Sequence, residues 1–380
     1  MNFELDFEQQ QFLDGARHFY RDHGAFDAWF RDAQSGSGYD RAAWAEMAAI
    51  GWLALNVPEE YGGLEASPVY TSVVMEQSGR ALSRAPFVST AVIGAMLVRH
   101  AQPALQAALL PAIAAGETVI ALAHAEAQSR FNLASVGTRA EQDGDGYRLD
   151  GVKSYVPDGS SADWLIVPAR TSGDMRSEQG ITLFAVPADT PGIERQAVRG
   201  PDYRHSARVT LSGVRADRAA IIGEVGHGLP LLRLAVDHAI AAGLAEAVGI
   251  MEALRDATLD YIKTRKQFGV TIGSFQVLQH RMVDMEIACE EARAIMRHAL
   301  GHLDRPEPER RRALSAAKTR VGQTGMFVGH QAVQLHGGIG TTDELVVSHY
   351  LKRLAMLEIS YGNADHHRKL FLEASLQADA

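Results

Sequence analysis

The sequence has a single cysteine and no long uncharged stretch. Cys289 is the single cysteine among 380 residues, so an intrachain disulfide is impossible, which fits a reducing cytoplasm. The N-terminus, residues 1–6, is acidic and has no apolar signal core. No uncharged run reaches the roughly 20 residues that span a bilayer. The formal net charge of -9 argues against a nucleic-acid surface and against a membrane surface. We therefore expect a cytoplasmic protein without nucleic acid or membrane among its partners.

Three kinds of sequence pattern follow one another along the chain and predict an α+β multidomain fold. Residues 1–116 carry helical periodicity and predict an N-terminal helical domain. Residues 117–224 contain short apolar or β-branched runs between turn signals, a pattern typical of a central antiparallel β-barrel-like domain. The runs predicted as strands are Thr118–Ala123, Ser135–Ala140, Tyr147–Leu149, Trp164–Val167, Ile181–Val186 and Ala207–Leu211. Residues 225–380 contain long amphipathic runs and predict a C-terminal four-helix bundle. Gly243 and Gly249, inside the first of these runs, are expected to mark close approaches between helices.

Local patterns that could carry chemistry compete with structural explanations. His366 and His367 follow Asp365, but adjacent histidines point to different faces of a helix. We therefore expect solvated histidines on a helix face and no metal site. A Gly-x-Ser-x-Gly elbow is absent from the sequence, which argues against a serine hydrolase. Cys289 lies among apolar neighbours and is expected to be an inert core residue. The cluster Gly337–Gly340 is either a loop between helices or a cradle for a ligand.

Five short motifs occur in an order that favours the cradle. They are Pro58-Glu59-Glu60-Tyr61-Gly62-Gly63, Gly151-Val152-Lys153, Arg265-Lys266-Gln267-Phe268-Gly269, Phe275-Gln276 and Gln334-Leu335-His336-Gly337-Gly338-Ile339-Gly340. Each motif is weak alone, but the ordered set resembles the acyl-CoA dehydrogenase family of flavoproteins from residue 5 to about residue 370. The helix–β–helix layout is also that of the family.

The resemblance implies bound FAD, an acyl-CoA substrate and an acceptor of the electron-transfer flavoprotein type. The residues that it places against FAD are Arg265, Gln267, Phe268, Gln276, Gln334, Gly337, Gly338, Asn363 and Asp365. Arg265 would pair with the flavin pyrophosphate, because a planar fork of donors suits phosphate oxygens. Gln334, Gly337 and Gly338 would contact the adenosine end of a cofactor bound by a neighbouring subunit. The resemblance therefore implies a homo- or hetero-oligomer, a dimer or tetramer.

The residue at the position of the catalytic base departs from the family. Enzymes that this chain resembles use a base, normally a glutamate, to remove an acyl α-proton while a hydride leaves the β-carbon for the flavin. The glutamate immediately precedes the glycine that is Gly362 here, and this chain has Tyr361 instead. A phenol, whose ordinary pKa is about 10, is a poor base at neutral pH. The catalytic base of this chain is therefore unknown from the sequence.

Other departures fall on the flavin side of the expected site. The family's Thr-Glu-Pro loop is Ala125-Glu126-Ala127 here, and its Trp-Ile-Thr element is Tyr155-Val156-Pro157. Proline removes the hydroxyl that would donate near the flavin, and it has no N–H of its own. A second family position for the glutamate base corresponds to Ala239.

Several explanations of the missing glutamate remain open. In the first explanation, the chain is a subunit that works with a base-bearing partner. The chain resembles the small subunits of pimeloyl-CoA dehydrogenase-type heteromeric enzymes, which share its Gly-x-Ala-Asp-His-His pattern at Gly362–His367. Alternatively the base is relocated, with Asp237, His238 or Glu358 as candidates, although capping of a helix end is the more ordinary role for Glu358. The remaining alternatives are a flavin oxidase or monooxygenase on the same fold and a flavin-free structural subunit.

Overall fold

Helices form both ends of the chain, as the periodicity predicts. The structure is a computed structural model that describes residues 5–36 and 38–378. Its helices are α1 (Phe7–His23), α2 (Phe26–Ser35), α3 (Arg41–Ala49), α4 (Pro68–Arg80), α5 (Ala95–Val98), α6 (Pro103–Ala114), α7 (Gly228–Thr264), α8 (Gln276–Leu300), α9 (Glu307–His336), α10 (Val346–Ile359) and α11 (Ala364–Ala378). Asp6 begins α1 with a capping box, in which its carboxylate accepts from the Gln9 N–H and the Gln9 side chain accepts from the Asp6 N–H.

The strands lie mainly between α6 and α7. They are β1 (Ile120–Leu122), β2 (Arg139–Asp143), β3 (Gly146–Pro157), β4 (Trp164–Arg170), β5 (Ile181–Pro187), β6 (Ile193–Arg199), β7 (His205–Ala216), β8 (Ile221–Ile222), β9 (Lys266–Gln267) and β10 (Val270–Thr271). In the described residues, the first eight form one sheet in the order β6-β7-β3-β2-β4-β5-β8, with β1 beside β4. The predicted fold class is confirmed, but the sheet is mixed because β1 and one residue pair of β2 run parallel to β4.

Two strands differ from the sequence prediction. The sequence does not predict β6, because this strand has no alternating apolar pattern. Nearly all of its residues are exposed, so none of its faces needs apolar side chains. It is held at the sheet edge by antiparallel pairing with β7. β3 is longer than its apolar core indicated, since it continues past a register shift next to Gly151 and reaches Pro157.

Two compact units emerge from the contacts of the chain. The first contains the residues up to Arg31, then Pro68–Ser83, and the chain from Ile240 onward. Within it, a Cβ on Gly249 of α7 would lie 1.9 Å from the Glu76 carbonyl oxygen of α4, so only glycine permits this approach. Arg293 of α8 donates to the Glu76 carboxylate at 2.9 Å. The close helix approach expected at Gly249 is confirmed. At Gly243 a Cβ would make only an ordinary contact of 3.7 Å with Leu357 Cδ2, so glycine is not required there by space.

The second unit contains Asp32–Ser67 and Arg84–Ala239 and carries the mixed sheet. Strands β4 and β5 are buried along almost their whole length and form its core. Helix α7 is long and apolar enough to cross a membrane by length and composition, and 83% of its most apolar window is buried within the protein. The division into three domains at residues 116 and 224 stays a prediction.

Candidate functional site

The motif at Arg265 forms a short hairpin at the end of α7. Strand β9 pairs antiparallel with β10, and Phe268 (φ 54°) and Gly269 (φ 82°) form its tip. Positive φ at both central residues is the geometry of a type I′ turn. Outside glycine this conformation costs roughly 1–2 kcal/mol, so the tip holds Phe268 in an unfavourable backbone conformation. The Phe268 side chain is 90% exposed, and the side chains of Arg265 and Gln267 are exposed beside it.

The next predicted position, Gln276, lies at the first turn of α8. It follows Phe275, whose ring meets the ring of Phe268 edge to face with centroids 6.2 Å apart. Gln276 is exposed. The hairpin tip and the start of α8 therefore present one continuous exposed surface that carries Arg265, Gln267, Phe268 and Gln276.

The glycine cluster lies at the end of α9. Gln334 is exposed on the last turn of the helix, and Gly337 ends the helix with φ 68°. Gly337 also begins a 3-10 turn that extends to Thr341. A Cβ added to Gly337 or Gly338 would meet nothing within 4 Å. The cluster therefore links two helices and also leaves its backbone open, so both interpretations from the sequence fit it.

The ends of α7 and α9, next to the hairpin and the glycine cluster, contact each other through two aromatic side chains. The Tyr261 hydroxyl, four residues before Arg265, donates to the His336 carbonyl oxygen at 3.3 Å. The two rings also stack with centroids 4.4 Å apart. The exposed Arg265 side chain and a glycine turn with open space at its Cβ positions thus lie at the ends of α7 and α9. The guanidinium fork fits the oxygens of a diphosphate.

The four-residue turn Ser360–Asn363 joins α10 to α11. Tyr361 adopts φ 57° and Gly362 adopts φ 120°. A Cβ on Gly362 would lie 2.6 Å from His366 Cδ2 and 2.7 Å from His367 Nε2. Glycine is therefore required at position 362, both by the backbone conformation and by the two imidazole rings packed on it.

His367 lies beneath this turn. Its Nε2 atom is 3.1 Å from the Tyr361 carbonyl oxygen, and its Nδ1 atom is 3.2 Å from Ser315 Oγ on α9. The side chain is buried, and this burial, together with the Lys318 charge, lowers the pKa of His367 to about 3. The expectation of a solvated histidine is therefore wrong for His367, which packs against the glycine of its own turn.

Two further side chains fix the helices on either side of the turn. Lys318 of α9 donates to the carbonyl oxygens of Leu357 at 2.7 Å and Glu358 at 2.8 Å. Both carbonyls lie in the last turn of α10, where a cation is favourable. Burial lowers the pKa of Lys318 to about 8. Glu358 Oε1 accepts from the Ala364 N–H at 2.9 Å, the ordinary role of a carboxylate at the start of a helix.

Asn363 and Asp365 have local partners in α11. Asn363 Oδ1 accepts from the His366 N–H at 3.0 Å, so Asn363 caps the helix. Asp365 pairs with Arg368 at 2.5 Å on the surface. Their roles toward FAD stay predictions.

His238, a further candidate for a relocated base, is half-buried on α7. Asp237, the candidate next to it, is buried. It belongs to the unit that carries the sheet, whereas Tyr361 and Glu358 belong to the other unit.

The two departures on the flavin side come together within the sheet-bearing unit. Ala125 forms an antiparallel bridge with Tyr155, and the Ser154 N–H donates to the Ala125 carbonyl oxygen at 2.8 Å. The loop after β1 and the end of β3 are therefore direct neighbours, although Tyr155 lies 30 positions after Ala125 in the sequence.

Glu126 anchors the loop after β1. Lys153 Nζ, which is completely buried, donates to Glu126 Oε1 at 2.7 Å. Thr138 Oγ1 donates to the same oxygen at 2.7 Å, and the Gly137 N–H and Gln128 amide donate to Oε2. Burial alone would raise the pKa of Glu126, but the Lys153 charge and these hydrogen bonds lower it to about 2. The loop is thus fixed by an ionised carboxylate.

A π-helical segment, Val88–Gly94, is a feature that the sequence did not predict. Ser89 Oγ within it donates to Asp158 Oδ2 at 2.5 Å, and Asp158 directly follows Tyr155–Pro157. Such segments occur often at functional sites. No residue pattern separates a π-helix from an α-helix in this stretch, so only the structure identifies it.

Metal and thiol chemistry find no support in residues 5–36 and 38–378. Within these ranges no group of three or more histidine, cysteine, aspartate or glutamate side chains is placed to hold a metal ion. Cys289 is buried on α8, and this burial raises its pKa to about 12. The prediction that Cys289 is an inert core residue is confirmed.

Comparison with known proteins covers almost the whole chain. The family models for the N-terminal, middle and C-terminal domains of acyl-CoA dehydrogenase match residues 6–117, 121–214 and 226–376. The probable acyl-CoA dehydrogenase FadE25 of Mycobacterium tuberculosis is 31% identical over 344 residues, which cover 89% of this chain and 88% of that protein.

Solved structures of similar fold include a steroid ACAD variant and a complex of two named proteins. A variant of the Tcur3481-Tcur3483 steroid ACAD is 27% identical, with a TM-score of 0.87 and 98% of each chain covered. The ChsE4-ChsE5 complex from Mycobacterium tuberculosis shares the fold at 23% identity, with a TM-score of 0.88 and 100% of each chain covered.

Proposed function

The chain belongs to the acyl-CoA dehydrogenase family of FAD-dependent oxidoreductases, and we propose that it is a flavin-binding subunit without the usual base. In this proposal it takes part in α,β-desaturation of an acyl-CoA thioester together with a base-bearing partner subunit. The observation that carries the proposal is Tyr361, held at φ 57° immediately before Gly362.

Desaturation requires a group that accepts the α-proton of the thioester. FAD, when bound, accepts the hydride that leaves the β-carbon. A base works best when its pKa lies near the working pH, and a phenol with an ordinary pKa of about 10 is protonated at neutral pH. Tyr361 can therefore line the site and donate a hydrogen bond there, but it supplies no base.

The side chains around the turn do not replace the missing carboxylate. Glu358 Oε1 is engaged by the Ala364 N–H. Both ring nitrogens of His367 are engaged, one by Ser315 and the other by the Tyr361 carbonyl oxygen. In the proposal these groups build the turn, and the base comes from another chain.

The cofactor would be held by the exposed surface at the ends of α7 and α9. Arg265 would form paired hydrogen bonds to the pyrophosphate, flanked by Gln267 and Phe268 of the hairpin and by Gln276 of α8. Gln334, Gly337 and Gly338 would contact the adenosine end of a cofactor bound by the neighbouring subunit, and Asn363 and Asp365 would approach the same cofactor with their polar side chains. Backbone amides can approach phosphate or ribose closely only where no Cβ intervenes.

Exposed apolar side chains support an oligomer. The largest on the hairpin and α8 are Phe268, Val277, Val283 and Ile287, exposed by 90%, 60%, 57% and 53%. Val283 and Ile287 lie four residues apart and therefore share one face of α8. Exposed apolar residues that gather on one face are typical of a surface covered by another chain. A partner that buries this face would also bring its own residues to the Gly337 region.

A heteromer is the form that the proposal favours. The matched steroid ACAD structure carries two names joined as Tcur3481-Tcur3483, and the turn at Gly362–His367 resembles that of pimeloyl-CoA dehydrogenase-type small subunits. An acceptor of the electron-transfer flavoprotein type and a cytoplasmic location complete the proposal. The single, buried Cys289 is compatible with a reducing compartment.

Expression of the chain with and without a base-bearing acyl-CoA dehydrogenase subunit of the same organism tests the proposal. We expect a yellow protein in both cases, and turnover of acyl-CoA with an artificial electron acceptor only in the second. Strong turnover by the lone chain, abolished by Asp237→Asn, would establish a relocated base instead. A protein without flavin absorbance would be a structural subunit, and fast reoxidation by oxygen with product hydroxylation would indicate a monooxygenase.

A further inference from the structure

The turn at Tyr361 is held from three directions. Lys318 binds the last carbonyls of α10, Glu358 and Asn363 cap the start of α11, and His367 contacts the turn from below. A tyrosine at φ 57° costs roughly 1–2 kcal/mol relative to an ordinary conformation. Backbone strain of this kind persists only where the surroundings over-determine it. The contacts around the turn are therefore what keeps residue 361 in its unusual conformation.

The hydrogen bonds of His367 define its protonation state. A carbonyl oxygen can only accept, so the Nε2 atom facing Tyr361 must carry a proton. Burial and the nearby Lys318 charge lower the pKa of His367 to about 3, so the ring is neutral and Nδ1 has a lone pair. Ser315 Oγ, 3.2 Å away, then donates to Nδ1. The serine hydroxyl therefore selects the tautomer that can bind the Tyr361 carbonyl.

We propose that His367, oriented by Ser315, is the positioning residue for the side chain at position 361. The Nε2–H bond fixes the carbonyl of residue 361, and the absence of a Cβ on Gly362 lets the imidazole ring come that close. Lys318 holds the end of α10 before residue 361, and His367 holds the peptide plane after it. With both sides fixed, ψ of residue 361 and the direction of its Cα–Cβ bond are fixed as well. The device acts on the backbone, so it positions a tyrosine here as it would position a carboxylate.

The inference rests on the proposed function in one respect, namely that position 361 is where a catalytic base would stand. The geometry itself can be tested without turnover. A failure of positioning would appear in a spectrum of residue 361, whereas a failure of the proposed function would appear in the reaction of the flavin with acyl-CoA.

The test replaces Tyr361 by 3-fluorotyrosine in the full chain and records its fluorine NMR spectrum. We expect one narrow resonance in the parent protein. His367→Gln keeps an N–H donor near the Nε2 position and should preserve that resonance. His367→Met has a similar volume without a donor and should shift the resonance and broaden or split it.

Ser315→Ala is the second variant and covers the case in which His367→Met does not fold. It leaves the imidazole in place but removes the hydroxyl that selects the tautomer, so it should disturb the resonance in the same way. Equal flavin content and an unchanged thermal midpoint show that a variant is folded. A fluorine resonance identical to the parent in position and width, in every folded variant that lacks the donor or the hydroxyl, would overturn the proposal.

Discussion

His367 Nε2 donates to the carbonyl oxygen of Tyr361 over 3.1 Å. This bond ties Tyr361 to a buried histidine six residues later in the chain. Because the bond reaches the backbone and not the phenol, it does not require a particular side chain at 361. Under the proposed function, the same turn would therefore hold a carboxylate in the same way.

A carboxylate restored at position 361 should restore proton abstraction. We expect Tyr361→Glu to raise the rate of acyl-CoA dehydrogenation by the lone chain by about 100-fold or more, because a positioned base contributes roughly 10²–10⁴-fold. The measurement is steady-state turnover with an artificial electron acceptor. Tyr361→Gln is the matched control, since it has the same shape without a base. Equal rates in the two variants would show that position 361 is not where the base acts.

His367 should remain neutral across the physiological pH range. The charges that bear on it are Lys318 of α9, the neighbouring His366, and Arg311. Because the folded pKa of about 3 lies below the ordinary 6.5, this group contributes stability above about pH 6.5 and loses it as the pH falls towards 3. Nitrogen NMR of labelled histidine should show the Nε2–H tautomer of His367 unchanged from pH 8 to pH 5. Protonation of His367 near pH 6 would contradict the burial.

Arg265 should control retention of FAD. We expect Arg265→Gln to raise the dissociation constant of FAD roughly 10- to 100-fold, because hydrogen bonds to a charged group contribute about 1.5–3 kcal/mol. The measurement is titration of the apoprotein with FAD, followed by flavin fluorescence. Lys263→Gln removes an exposed charge from the same end of α7 and serves as the control. If both variants lost FAD affinity equally, the loss would come from the change in net charge and not from a specific contact of Arg265 with FAD.

The Glu126–Lys153 pair should stabilise the sheet-bearing unit. Lys153→Met leaves the Glu126 carboxylate buried without its counter-charge, and loss of one partner of a buried pair costs about 3–5 kcal/mol. We expect a clearly lower thermal midpoint, with partial recovery in the double variant Glu126→Gln/Lys153→Met. Glu141→Gln breaks an exposed pair with Arg148 and should cost less than about 1 kcal/mol. A midpoint of Lys153→Met that matches this control would contradict the assigned role.

The same pair has a pH signature. Burial raises the pKa of Glu126, but the Lys153 charge and the hydrogen bonds lower it by more. The pKa therefore falls from 4.5 to about 2. A group with a depressed folded pKa stabilises the protein above its unfolded pKa, and this stabilisation is lost as the pH falls from about 4.5 towards 2. Thermal midpoints of the parent protein should therefore drop over this range by more than those of Glu126→Gln.

Sequence reasoning found the elements whose signals are local and missed those whose signals depend on contacts. Helices α7 to α9 have strong periodicity, and Gly249 marks a helix crossing that its small size alone allows. Strand β6 has no apolar alternation because an edge strand needs only its backbone to pair. The π-helical segment Val88–Gly94 likewise has no residue pattern of its own.

The site divides in the same way. The resemblance pointed to the Arg265 hairpin and the glycine cluster, but the Tyr261–His336 contact that joins them appears only in the fold. Two adjacent histidines suggest solvated side chains, because neighbouring residues point to different faces of a helix. His367 is buried because Gly362 leaves room for its ring and Ser315 of a distant helix supplies a partner. A sequence pattern cannot express that combination.

Anaerobic titration of the purified lone chain with straight-chain and dicarboxylic acyl-CoAs tests the central claim most directly. The absorbance of the oxidised flavin reports whether the chain can remove an α-proton unaided. We predict that the flavin spectrum shifts on binding but is not bleached by any of these thioesters at neutral pH. Complete bleaching of the parent protein, lost on Asp237→Asn and retained in Tyr361→Phe, would contradict the account and place the base on α7.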